Sequence, residues 1–145
     1  MRFPYITFPT RPDAAFPNRH SISRPILPIL LQKNHRRIVS YALVDSGADN
    51  CIFPASLAAQ LNITIPNQNA YVFSGTSDQP QLAYFETVQA VIWNGNTNES
   101  PLTFDLYAGF CETLEHAGLG LLGQSGFFSR YQIGFNRGAN FFDIT

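Results

Sequence analysis

The stretch Tyr41-Ala-Leu-Val-Asp-Ser-Gly-Ala-Asp-Asn-Cys-Ile-Phe-Pro54 constrains the fold more than any other part of this chain. An apolar run from Tyr41 to Val44 breaks at Asp45-Ser46-Gly47, and apolar residues resume at Cys51, Ile52 and Phe53. A carboxylate straight after a buried run is costly unless it is hydrogen-bonded or used. Gly47 lets the backbone pass close to another segment or take a conformation closed to other residues. Ser46 adds a short hydroxyl able to bond neighbouring backbone. Asp-Ser-Gly is also a common solvent turn, in which Asp bonds its own backbone. The apolar flanks argue instead for a carboxylate held on a rigid turn at the edge of a core.

A second stretch has the same character. Gly118-Leu-Gly-Leu-Leu-Gly123 reads as an apolar strand punctuated by glycine, followed by Ser125-Gly-Phe-Phe-Ser-Arg-Tyr131. Between the two stretches lie Ala70–Ser74 and Gln81–Trp93, β-rich runs separated by Gly75-Thr-Ser-Asp-Gln-Pro80. That pattern predicts a hairpin with a polar tip.

The rest of the chain is also rich in strand signals. Ile26–Leu31 reads as a strand, with Pro28 suggesting an edge or bulge. Lys33–Arg36 is a polar turn, and Arg37–Val44 returns to deliver Asp45. Pro54–Leu61 reads as a short helix, with Pro54 at its first position and Leu57 and Leu61 on one face. Strands are expected at Leu102–Phe110, Tyr131–Phe135 and Asn140–Ile144. Cys111–Ala117 reads as a polar connection; the spacing of its Glu112, Glu115 and His116 fits no standard metal-ligand pattern. The expected class is all-β.

Composition bounds the rest. The 145 residues fit one domain, and a net charge of −1 gives no basic field for nucleic acid. Charged residues are only 13%, so a partner subunit is expected to cover some apolar surface. The two cysteines, Cys51 and Cys111, make no disulfide framework. Reduced thiols and a cytoplasmic setting are expected. No apolar run approaches membrane-spanning length, and Pro4 and Pro9 interrupt anything like a signal peptide. Residues 1–23 carry Pro4, Pro9, Pro12 and Pro17 among aromatics, which predicts an extended arm or leader. Phe3, Ile6, Phe8 and Phe16 argue that part of it docks. Residues 24–145 are expected to form the domain.

Val44-Asp45-Ser46-Gly47-Ala48 resembles the active-site turn of the aspartic proteases, and Ala48-Asp49 directs the resemblance to the retropepsin-like, retroviral-type branch. The Gly118–Gly123 stretch resembles that family's second signature, two aliphatics and a glycine leading into a short helix. The resemblance runs from about Arg24 to Ile144. It implies an acid-protease β-barrel with a flap hairpin and two short helices. Pepsin-like enzymes carry two Asp turns on one chain. Here Asp13, Asp78, Asp105 and Asp143 lack the following Ser/Thr-Gly, so the resemblance implies one Asp turn per chain and an active homodimer.

The implied activity is that of an aspartic endopeptidase on peptide or protein substrates, without metal or cofactor. By resemblance Asp45 is the catalytic carboxylate, Ser46 hydrogen-bonds across the dimer, and the Gly47 carbonyl accepts substrate backbone. Ala48, Asp49 and Asn50 bind the peptide further along the cleft. Ile52 and Leu121 line side-chain pockets, and Gly75 stands at the flap tip. One departure is Gln124, where retroviral members often place an Arg that pairs with the residue matching Asp49. The apolar ending Phe141–Ile144 places the C-terminal strands in the expected interface. Two rival classes remain: an inactive peptide-binding or dimerisation module on the same fold, and a hydrolase with a Ser or Cys nucleophile. For the latter, His20, His35 and His116 offer bases but sit in no nucleophile motif.

Overall fold

Two residues with left-handed backbone, Asn34 (φ 49°) and His35 (φ 61°), close the first barrel hairpin. Left-handed backbone at both central positions is what a tight two-residue hairpin needs, because its twist then matches that of the strands. The hairpin joins β4 (Ile26–Lys33) to β5 (Arg36–Val44). The computed structural model describes residues 1–64, 70–73 and 80–145.

Numbering from the N-terminus, β1 is Arg2–Pro4, β2 Ile6–Pro9 and β3 Ser21–Arg24. After β5 come β6 (Ile52–Pro54), α1 (Ala55–Gln60), β7 (Ala70–Phe73), β8 (Gln81–Ile92) and β9 (Leu102–Cys111). The chain closes with β10 (Gly120–Leu122), β11 (Ile133–Asn136) and β12 (Phe141–Ile144).

Six strands form a closed barrel in the order β4-β5-β10-β6-β9-β8, sealed by pairing of β8 with β4 from Ile29↔Ile92 to Gln32↔Gln89. The two-residue period puts Leu27, Ile29 and Leu31 of β4 inside with Val88, Ala90 and Ile92 of β8 and Phe104, Leu106 and Ala108 of β9. Burying each large aliphatic or Phe side chain stabilises the fold by roughly 1.5–3 kcal/mol before the entropy of ordering is counted. Pro28 is not on an edge strand, since β4 is paired on both sides. It sits one residue before the β8 ladder begins, where its missing N–H interrupts no bond to that strand.

At the far ends of β8 and β9 the other sheet face is buried as well. Ile52, Ala83, Phe85 and Cys111 form a second, smaller cluster with Phe73 and Leu114 against it. Gly109 makes this possible, because a Cβ there would meet the Phe85 ring.

The helix begins at Ala55. Pro54 ends β6 and occupies the cap position, without a side-chain cap of its own. Glu115 supplies one from a distant part of the chain, accepting from the Ser56 N–H at 2.6 Å and the Ser56 hydroxyl at 2.9 Å. Leu57 and Leu61 are both buried, as their spacing predicts. The second expected helix, over Ser125–Tyr131, is absent. That segment is a run of turns in which the Phe128 and Ser129 N–H groups reach back five residues, to Gly123 and Gln124. Gly126, at φ 96°, is incompatible with a regular helix there. Among the described residues a 3-10 turn forms at Glu112–Leu114.

The termini make a separate three-stranded sheet in the order β1-β12-β11. Phe3 is buried and stacks on Phe142 at 5.6 Å, while Arg2 binds Asp143 through two bonds of 2.9 and 3.0 Å. The start of the Pro-rich arm is therefore part of the body. Phe142 and Ile144 cover the chain's own core, and β12 is paired on both sides within the chain. In this pairing β12 offers no free edge to a second copy; the edges of the sheet are β1 and β11. Among the described residues, β2 and β3 pair only with each other, as a two-stranded ribbon.

Candidate active-site cleft

Strand β10 lies between β5 and β6, parallel to the first and antiparallel to the second. The strands that flank the Asp45 turn are thus held apart by a third strand, and residues 45–51 must cross over its end. That crossing fixes the turn. The Asp45 N–H donates to the Leu122 carbonyl at 3.1 Å. The Gln124 and Ser125 N–H groups donate to the Ala48 and Asp49 carbonyls, each at 2.8 Å. A bridge between Asn50 and Ser125 continues the contact.

Gly123 stands where the two segments are closest. A Cβ there would collide with the carbonyl oxygens of both Ala48 and Asn50, which are backbone atoms without freedom to move aside. Gly120 meets a similar demand from the buried Phe53 ring. Cys51 lies beneath the crossing. Its sulfur accepts from the Gly123 N–H at 3.3 Å and donates to the Ser125 carbonyl at 3.3 Å. Burial pushes its thiol up to about 11, outweighing the Gly123 hydrogen bond, so it is a neutral packing group at ordinary pH.

The Asp45 carboxylate is half-buried at the mouth of the barrel, with Oδ1 accepting the Gly47 N–H at 2.9 Å. It opens onto a cleft of about 470 Å³. Of the residues expected at the site, Asp45, Gly47, Ala48, Asp49, Asn50, Ile52 and Leu121 all line this cleft. Ser46 is exposed and does not line it; its carbonyl accepts the Gln124 side-chain amide at 2.7 Å. Asp49 is exposed, and among the described residues its carboxylate has no hydrogen-bond or ion-pair partner. Gly75 and the hairpin tip around it lie outside the described residues. The legs of that hairpin are β7 and β8, paired from Ala70↔Tyr84 to Phe73↔Gln81.

Four further residues line the cleft: Phe73, Gln81, Thr113 and Leu114. Phe73 and Gln81 face each other at the ends of the two legs, so the hairpin pattern held a signal for them. Thr113 and Leu114 reach the cleft through the 3-10 turn after β9, for which the local sequence gives no signal. The Thr113 hydroxyl donates to Gln81 Oε1 at 3.0 Å and, its proton so engaged, accepts from the Cys111 thiol at 2.7 Å. The apolar wall is the second cluster seen from outside, with Ile52, Phe73 and Leu114 beside Leu121.

The cleft therefore joins one fixed carboxylate, an apolar wall and a rim of backbone groups. Such a surface can hold an extended chain with apolar side chains over the carboxylate. Both cysteines are free and buried. Among the described residues no three His, Cys, Asp or Glu side chains gather to hold a metal ion, and no helix is long and apolar enough to cross a membrane. No family model matches this chain, and no curated protein matches its sequence.

Proposed function

We propose that this chain is a retropepsin-like aspartic endopeptidase, active as a homodimer in which two Asp45 carboxylates, one from each subunit, share the site. The observation that supports it most is the placement of Asp45. A carboxylate fixed by its own turn, crossed by a glycine strand, opens onto a cleft with an apolar wall. One carboxylate alone cannot perform the reaction. A second must come from outside the chain, because no other Asp is followed by Ser/Thr-Gly.

The chemistry assigns each carboxylate a task. The ionised Asp45 takes a proton from a water as its oxygen bonds to the scissile carbonyl carbon. The protonated Asp45 gives its proton to the carbonyl oxygen, forming a neutral gem-diol. Collapse of the diol breaks the C–N bond: the first carboxyl returns its proton to the departing nitrogen while the second, now ionised, carboxylate takes a hydroxyl proton from the diol, leaving acid, amine and a pair that again holds one proton. Two like charges this close do not both ionise readily, so the pair holds one proton between them, a behaviour carried over from aspartic proteases in general. The Gly123 contact and the Gly47 N–H keep each carboxylate in place for its partner.

Turnover of an unfolded protein substrate across pH tests the reading. Activity with an optimum below neutral, blocked by a pepstatin-type inhibitor, is expected. A rate that keeps rising above neutral pH, insensitive to that inhibitor, would favour a Ser or Cys nucleophile instead. Binding of peptide without turnover at any pH would identify an inactive binding module.

A further inference from the structure

The ribbon of β2 and β3 is well built but, among the described residues, has no strand or hydrophobic cluster as a platform. Phe8 pairs directly opposite Ile22, and Ile6 lies two residues along on the same face, opposite the exposed Arg24 at its end. The reverse face is polar, with the Thr7 and Ser23 hydroxyls 2.8 Å apart. Its tip is ordered by local bonds: Asp13 accepts from the Ala15 and Phe16 N–H groups, and Arg19 lies 3.9 Å over the Phe16 ring. The apolar face nevertheless belongs to neither hydrophobic cluster. Phe8 is 40% exposed, and Ile6 and Ile22 are only partly buried. A two-stranded ribbon in water is marginal without something against its apolar face.

The place where it is rooted indicates what covers it. The chain leaves β3 at Arg24, and the Pro25 carbonyl accepts the Val44 N–H at 2.9 Å, one residue before Asp45. Ile26 then pairs opposite Leu43. The ribbon thus springs from the edge of the candidate active site. A second copy that brings its own Asp45 to this one comes close to the ribbon's root. The terminal sheet cannot serve the same purpose by strand addition at β12, whose two sides are already paired.

We infer that residues 6–24 form an intersubunit arm, whose Ile6, Phe8 and Ile22 face packs on a second copy of this chain and holds the two Asp45 turns together. This inference rests on the shared-carboxylate reading above and adds the surface that assembles it. The arm is a positioning element and touches no reacting atom.

Two measurements test it. In the first, sedimentation compares wild type with Phe8→Ser and Ile22→Ser, with circular dichroism confirming the fold. At least a tenfold weaker dimer is expected for each, with turnover at low protein concentration falling in proportion to dimer and recovering at high concentration. In the second, a benzoylphenylalanine photo-crosslinker replaces Phe8 in the otherwise unaltered chain, and a covalent dimer is expected on illumination. A wild-type dimer with unchanged affinity in both serine variants, or crosslinks confined to single chains, would overturn the arm and leave the Asp45 pairing intact. A wild type that stays monomeric at every concentration while fully active would end both readings.

Discussion

The side-chain amide of Gln124 donates to the carbonyl oxygen of Ser46 at 2.7 Å, tying the turn that carries Asp45 to the segment after β10. Gln124, the departure from the Arg that retroviral members often carry, thus makes a neutral bond to backbone, and it restrains the turn one residue from the carboxylate. Gln124→Ala removes that bond but leaves the Gln124 N–H on Ala48. A stability loss of about 1 kcal/mol is expected. A larger fractional loss of kcat should accompany it, since Asp45 is less well positioned. Urea unfolding and steady-state kinetics on the same preparation check this.

Gly123→Ala tests the crossing itself. The added methyl meets two backbone carbonyls that a rotamer change cannot relieve. Overpacking of this kind costs about 1–3 kcal/mol, and the absence of a movable neighbour places this site at the upper end. A fall in the urea midpoint at unchanged slope is the expected signature.

Cys51 gives a pH-dependent prediction. The folded state holds its thiol at about 11 and the unfolded chain near 9. The raised value favours the protonated fold, so its contribution is fully present below pH about 9. It is lost as pH rises toward about 11, by up to roughly 2–3 kcal/mol. The difference in stability between wild type and Cys51→Ala should narrow over that interval. Native Cys51 should also resist alkylation at pH about 8.

Glu86 works in the opposite direction. The hydrogen bond from Lys33, at 2.9 Å, lowers its pKa against a smaller desolvation effect. Its stabilisation is present above the unfolded value, near pH about 4.3, and is lost as pH falls through the lower folded value. Both side chains are about 30% exposed, so the pair contributes under about 1 kcal/mol. Glu86→Gln should cost that much near neutrality and nothing at pH about 2, as thermal melts at the two pH values will show.

What the sequence made legible follows the range of the interactions. The Asp45 turn, the β4–β5 hairpin and the β7 and β8 legs are local patterns of apolar period and turn residues, and they could be read directly. The all-β class followed from them. The barrel closure between β4 and β8 joins residues about sixty apart, and nothing local announces it. The helix expected after Gly123 does not form: Gly126 takes a left-handed conformation and the Phe127 ring is buried in the core, tertiary features that the local pattern does not carry. Thr113 and Leu114 enter the cleft for a similar reason, carried there by the end of β9. Proline spacing signalled extended chain in the N-terminal arm, but the Phe8–Ile22 register bridges a turn too long to read.

The most direct test of the shared carboxylates uses Asp45→Asn, which keeps shape and volume but removes the ionisable group. The mutant should fold, dimerise and bind peptide, with turnover abolished. On the shared-carboxylate proposal each site needs a carboxylate from both chains, so the effects of the two copies are not additive. Titrating mutant into a fixed amount of wild type, with time for subunit exchange, should depress activity as wild-type chains enter dead mixed dimers. Substantial turnover by the mutant alone, or wild-type activity untouched after full exchange, would contradict the account.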